Sequence, residues 1–211
     1  MRRAARLPLE ALAPYLLEVP DPPALLNWST VFDNGNPVEI EVGFGKGLFL
    51  LTSSLANPQT NFLGLEIERK YQLFTANRIA KRELRHVRLV KADGRLFLRD
   101  CVPSDSVQAV HVYFPDPWWK KRHHKRRLFT AEFANQCVRV LMPNGCLHIA
   151  TDVEEYFHVM TELVQGQPLL QPISLANVAG PESAAEYQTN FERKSILQGR
   201  PVNRAIYRKS V

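Results

Sequence analysis

The chain has 211 residues and a mass of 24.1 kDa, enough for a sizeable core and a better fit to one α/β domain than to two. With 45% hydrophobic and 23% charged residues it reads as neither a disordered chain nor a coiled coil, and no apolar run approaches the roughly 20 residues of a membrane span. Lys and Arg outnumber Asp and Glu by 27 to 21; six of the basic residues fall between Lys120 and Arg127, and without them the signs balance, so the excess is a patch that attracts polyanions.

Residues 1–36 are proline-rich and lack sustained periodicity. Pro20, Pro22 and Pro23, then Asn34-Gly35-Asn36, predict an arm wrapped onto a domain spanning 37–211. Met1 to Arg6 is basic, but Pro8, Glu10 and Pro14 break the apolar stretch that follows, which fits a secretory signal poorly. A strand is predicted at 38–42, then the glycine loop 43–47 and a helix at 48–55. A second strand follows at 61–67 and a helix at 70–84, with Tyr71, Phe74, Asn77 and Ile79 facing inward or toward a site. Strands are predicted at 87–92 and 107–114. A helix at 130–141 begins at a Thr130 cap and carries Phe133, Cys137, Val140 and Leu141 on one face. A strand at 145–150, a helix at 153–164 and a closing strand at 203–209 complete the pattern. Cys101, Cys137 and Cys146 are odd in number and lack metal-type spacing, which predicts reduced, mostly buried thiols in a cytoplasmic protein with no metal.

Strand-helix alternation predicts an α/β fold with a mostly parallel central sheet and helices on both faces. Ligands of such sheets bind beyond the C-terminal strand ends. The glycine loop, Glu66, Asp93 and Asp116 all fall there.

The loop reads Glu41-Val42-Gly43-Phe44-Gly45-Lys46-Gly47. Leu48 stands where the dinucleotide fingerprint needs its third glycine or alanine, which argues against a nicotinamide oxidoreductase. The pattern acid-x-G-x-G-x-G instead resembles the first motif of Rossmann-like class I methyltransferases. S-adenosylmethionine brings an ammonium and a sulfonium near such a loop, so an acid beside it makes electrostatic sense. Glu66 is placed to accept ribose hydroxyls and Asp93 to accept from the adenine amino group. Any one of these acids alone would read as a solvated loop carboxylate.

The run from His111 to Arg127 reads H-V-Y-F-P-D-P-W-W-K-K-R-H-H-K-R-R. Pro115 and Pro117 restrict the backbone around Asp116. Trp118 and Trp119 offer a flat face for a purine, a contact of about 1–3 kcal/mol per base. The basic residues lead away along a phosphate backbone, giving affinity without reading sequence.

This run, F-P-D-P-W-x-K-x-R-H-x-K-R-R, resembles the signature of the bacterial tRNA (guanine-N7)-methyltransferases. Thr151-Asp152 through Tyr156 is similar to that family's T-D-x-x-x-Y segment, and Thr189 through Lys194 to its T-x-F-E-x-K segment. The likeness runs from about residue 38 to the C-terminus, with departures at Trp119 and in a short N-terminal arm. It implies S-adenosylmethionine bound by Glu41, Gly43, Gly45, Gly47, Glu66, Asp93 and Asp116, with Asp116 also the catalytic position. It implies substrate contacts at Lys120, Asp152, Thr189, Asn190, Phe191 and Glu192. RNA contacts are implied at Arg122, His123, His124, Lys125, Arg126 and Arg127. The implied target is the variable-loop guanine at tRNA position 46, with no membrane or metal, and monomer and homodimer both open.

Guanine N7 has an in-plane lone pair and no proton to lose, so the attack needs alignment more than a base. Asp116 can orient guanine through its N1 and amino hydrogens and offset the developing positive charge; deprotonation of the base is the alternative. Asp152, Thr189 and Glu192 read equally as capping and loop residues. A methyltransferase for another nucleobase position and a non-catalytic RNA-binding module on the same fold stay open.

Overall fold

The computed structural model describes residues 6–174, 199 and 201–211, with only the backbone of Lys121 and His124. A short helix α1 (Leu9–Leu12), a 3₁₀ turn (Ala13–Tyr15) and a two-residue strand β1 (Leu16–Leu17) open the chain. Helix α2 (Trp28–Phe32) follows, its first turn capped by the Asn27 side chain, which accepts from the Ser29 and Thr30 amides. The alternating core then runs β2 (Val38–Val42), α3 (Leu48–Ala56), β3 (Asn61–Glu66), α4 (Arg69–Ala80), β4 (Val87–Lys91), α5 (Gly94–Cys101) and β5 (Val107–Tyr113). A 3₁₀ segment (Lys121–Arg126) precedes α6 (Ala131–Val140), β6 (Leu141–Thr151), α7 (Glu154–Gln165), β7 (Leu170–Ile173) and β8 (Asn203–Lys209).

The strands form one eight-stranded sheet in the order β1-β4-β3-β2-β5-β6-β8-β7. Every pairing from β1 to β6 is parallel, and β8 runs antiparallel to both β6 and β7. All six residues of β3 are buried, as expected for a central strand covered on both faces. One apolar cluster packs α5, α6 and α7 on one face through Phe97, Phe133, Cys137, Tyr156 and Met160. The other packs α3 and α4 through Phe49, Leu50, Ala76 and Ile79, and takes Leu12 and Tyr15 from the N-terminal segment. From β2 the chain steps outward to β3 and β4, then returns to place β5 on the other side of β2. This reversal opens a crevice beyond the C-terminal ends of β2 and β5, where a ligand is to be expected.

Several elements differ from the sequence reading. Helix α5 is absent from it, although Phe97, Leu98 and Cys101 have helical spacing and are buried; its cap is Asp93, which the sequence marks only as a ligand. Strand β6 starts at Leu141, not at 145: Leu141 pairs with Val107, the next pair is Cys146 with Ala109, and Pro143-Asn144-Gly145 bulges out of the ladder between them. Strands β1 and β7 hold the two edges, where Pro172 costs no needed ladder bond. At the far end the buried Lys209 ammonium donates to Asp105 Oδ1 (2.6 Å), the Leu141 carbonyl (2.7 Å) and the Val138 carbonyl (2.8 Å), which fixes β8 against the start of β6.

Candidate active site

The crevice is a cleft of about 790 Å³, within the size range of small-molecule sites. Its lining comes from the end of β2 and the glycine loop (Glu41, Gly43, Phe44, Gly45), from the end of β3 and the start of α4 (Glu66, Glu68, Tyr71), from the stretch after β5 (Phe114, Asp116, Trp118, Arg126), and from Asp93 and Arg95 after β4.

The glycine loop is held from three directions. The Gly43 amide donates to the Leu65 carbonyl (2.8 Å) and the Gly47 amide to the Phe44 carbonyl (2.8 Å). The Gly45 amide donates to Glu66 Oε2 (2.8 Å), and Arg78 Nη1 on α4 donates to the Lys46 carbonyl (2.6 Å). Gly47 caps α3 at φ 61°, and a Cβ there would sit 2.2 Å from Thr75 Cγ2, so both backbone and space demand glycine. Gly47 therefore serves the helix and does not line the cleft. A Cβ on Gly43 or Gly45 would meet nothing within 4 Å, which leaves the loop open on the cleft side.

Glu41 lies beneath that loop, 3% exposed, and its Oε2 has no partner among the protein's own groups. Burial, and then the neighbouring Glu66 charge, push its carboxyl up to about 8, against a smaller pull from the Leu50 amide. A buried acid with an unmatched oxygen at the edge of an open cleft fits a cationic ligand group. Glu66 accepts from the Gly45 amide on one oxygen and from the Glu68 amide (3.0 Å) on the other; each oxygen keeps a lone pair for a ligand hydroxyl. These features fit S-adenosylmethionine.

Asp93 lines the cleft but already has protein partners. Its Oδ1 accepts from the Arg95 amide (2.9 Å) and Nε (3.1 Å), and its Oδ2 from Arg95 Nη2 (2.6 Å). The hydrogen-bonded Arg95 guanidinium holds the carboxyl below its usual range. Asp93 is thus the cap of α5 and half of an ion pair at the cleft edge, so an adenine amino group would have to share it with Arg95.

Asp116 is exposed, on a turn whose flanks, Phe114 at φ 52° and Trp118 at φ 45°, both sit in the left-handed region. Such conformations in non-glycine residues cost on the order of 1–3 kcal/mol each and persist only where other contacts impose them. Those contacts are visible: the Phe114 amide donates to the Ala150 carbonyl (2.8 Å), and Arg127 Nε donates to the Pro117 carbonyl (2.7 Å). Arg127 also lies 5.3 Å from the Tyr156 ring centroid. Burial pushes the Tyr156 phenol up and the Asp116 charge adds to the push, so the two are electrostatic neighbours. The Trp118 ring carries Arg126 at 5.0 Å and packs edge-on against His123 at 5.7 Å.

The family follows from comparison with known proteins. Residues 35–205 match the family model Methyltransf_4, described as "Putative methyltransferase". The tRNA (guanine-N(7)-)-methyltransferase of Rhodopirellula baltica is 40% identical, over 99% of this chain and 80% of that protein. The proteins of the same name from Cupriavidus pinatubonensis and Bordetella pertussis are 35% and 37% identical, over 95% and 91% of this chain and 78% and 75% of theirs. The chain belongs to the tRNA (guanine-N7-)-methyltransferase family. Its fold is that of class I methyltransferases: the 16S rRNA methyltransferase KamB superposes with a TM-score of 0.62 at 13% identity, over 87% of this chain and 93% of that one.

Against the family expectation, the cleft brings together Glu41, Gly43, Gly45, Glu66, Asp93, Asp116 and Arg126. Lys120 is exposed and Asp152 half-buried, both outside the cleft lining. Thr189, Asn190, Phe191 and Glu192 lie outside the described residues. Within the basic segment the roles divide: Arg122 and Lys125 project to solvent, whereas Arg127 turns inward to hold the Asp116 turn. Arg95 and Arg78 went unnoticed in the sequence. Arg95 had a signal, because a cation in the first turn of a helix opposes the helix dipole and calls for a specific partner.

Proposed function

We propose that this chain transfers a methyl group from S-adenosylmethionine to N7 of a guanine in tRNA, and that the target is the variable-loop guanine at position 46. One observation carries the reading. A single cleft at the sheet's reversal point has the glycine loop with Glu41 and Glu66 on one side, the Asp116 turn and Trp118 on the other, and a basic segment at its edge.

S-adenosylmethionine supplies an electrophilic methyl group on a positively charged sulfur. Glu41 would face the ligand's ammonium, Glu66 its ribose hydroxyls, and Asp93 with Arg95 the edge of its adenine. Asp116 accepts from the N1 and amino hydrogens of guanine, which turns N7 toward the donor side. Alignment of this kind accounts for much of the acceleration, and the Asp116 carboxylate offsets the positive charge that reaches the purine. Deprotonation is unnecessary, since N7 presents a lone pair. Arg127 and the two prolines keep the Asp116 turn in shape, so the carboxylate does not have to be ordered at each turnover. Lys120, Asp152 and residues 189–192 contact the nucleotide around the base. Arg122, His123, His124, Lys125 and Arg126 follow the backbone in the cytoplasm, where the substrate resides.

The test is methyl transfer to an unmodified tRNA transcript with guanine at position 46, beside one with adenine there. N7-methylguanine mapped to position 46 in the first and absent from the second supports the reading. Label at another guanine keeps the reaction and rejects the position.

A further inference from the structure

Outside the 120–127 segment the chain is electrically neutral as a sequence, yet its charges are not evenly spread in space. From residue 69 to 82 there are five basic residues, Arg69, Lys70, Arg78, Lys81 and Arg82, and no acidic one. They lie on α4 and the turn that ends it. The buried face of α4 is Gln72, Thr75, Ala76, Ile79 and Ala80. Lys70, Phe74, Arg78 and Lys81 recur every three or four residues on the opposite face, which rises about 16 Å along the axis.

Three features set this face apart from an ordinary solvated surface. None of the ion pairs among the described residues involves Arg78 or Arg82. Both guanidinium groups are pre-positioned by single bonds to carbonyls, Arg78 Nη1 to Lys46 and Arg82 Nη1 to Arg78 (3.1 Å), and each keeps further N–H donors free. Between the cations Phe74 is 47% exposed, with the Arg78 guanidinium 5.9 Å from its ring centroid. Partial burial, and then the nearby Arg82 charge, lower the Arg78 pKa.

The position of the face decides its partner. Helix α4 leaves the end of β3 and the 120–127 segment follows β5, and these strands flank β2 on opposite sides. Lys46, whose carbonyl Arg78 holds, lines the cleft. We infer that the α4 face from Lys70 to Arg82 is a second tRNA backbone-binding ridge, so that the RNA straddles the cleft with phosphates on α4 as well as on the 120–127 segment. The inference rests on tRNA being the substrate.

The experiment measures full-length tRNA binding across a salt series for the wild type, K81A/R82A and K81R/R82K, with S-adenosylmethionine affinity by calorimetry; both positions are exposed and neither lines the cleft. Two lost phosphate contacts should reduce the slope of log affinity against log salt by about 1.5, and weaken binding about tenfold at 100 mM salt. The charge-conserving pair should keep the wild-type slope, and all three proteins should bind S-adenosylmethionine alike. An unchanged slope in K81A/R82A overturns the ridge. So does an equal loss in K81R/R82K, or a parallel loss of S-adenosylmethionine affinity, since either gives these side chains a structural role in place of a phosphate contact. A wild type that neither binds nor methylates tRNA defeats the functional reading itself, which separates that failure from failure of the ridge.

Discussion

Binding of S-adenosylmethionine should expel a proton, and the proton should come from Glu41. Its carboxyl is pushed up to about 8 by burial and by Glu66, so at pH 6 about 1% of the protein carries the charged form and at pH 8 about half does. If only the charged form receives the ligand's ammonium, apparent affinity follows that fraction and should tighten about fiftyfold from pH 6 to pH 8. Calorimetry at pH 7 in buffers of different ionisation enthalpy should count close to one proton released per ligand. E41Q should bind weakly with no such pH dependence. The free protein should respond in the opposite sense. Because the folded value lies above the ordinary 4.5, the Glu41 contribution to stability is complete below about pH 4.5 and is lost as pH rises through about 8. The loss is on the order of 3 kcal/mol by pH 7. E41Q should therefore melt higher than the wild type at pH 8 while binding its ligand worse. A wild-type affinity flat from pH 6 to 8, with no proton released, would refute the reasoning.

D116N keeps the shape of the turn and removes its charge; turnover with saturating tRNA should fall about a hundredfold, and an unchanged single-turnover rate would exclude the electrostatic role. The division within the basic segment predicts that R122A/K125A flattens the salt dependence of tRNA binding by about 1.5 and leaves the rate at saturating tRNA intact. R127A, which frees the Pro117 carbonyl, should instead lower that rate with little change in the slope; single-turnover kinetics beside binding isotherms separate the two. G47A places a Cβ against Thr75 at positive φ and should destabilise the protein by about 1–3 kcal/mol, read as a Tm lower by several degrees in thermal unfolding. A G47A protein with wild-type Tm would show that α3 can start in another way.

Much of the core was legible because it obeys two periodicities. The apolar strands and the helices after β2, β3 and β5 announce themselves, and Thr130 does cap α6, accepting from the Phe133 amide (3.1 Å). Phe74 fails the same logic: it shares the apparent inward pattern of 70–84 but projects outward among arginines, because tertiary placement, not hydropathy, fixes which face of a weakly amphipathic helix is buried. Asp93 lines the cleft and caps α5, and reading it as a ligand alone hides the cap that reveals the helix. The cleft's acids were legible from strand ends alone. The bonds that brace the loops around them were not, since Arg78 reaches the Lys46 carbonyl and Arg127 the Pro117 carbonyl through folds of the chain that no local pattern encodes. The N-terminal edge strand escaped for the same reason: Leu16 and Leu17 become a strand only against Leu89 and Val90.

The most direct test of the account is the chemical identity of the product. Purified protein, S-adenosylmethionine and unmodified tRNA would be incubated, the tRNA digested to nucleosides, and the methylated species resolved by chromatography and mass spectrometry. The account predicts 7-methylguanosine as the product, lost or nearly lost with D116N. A methyl group on an exocyclic amine, on N1 or on a ribose would contradict it.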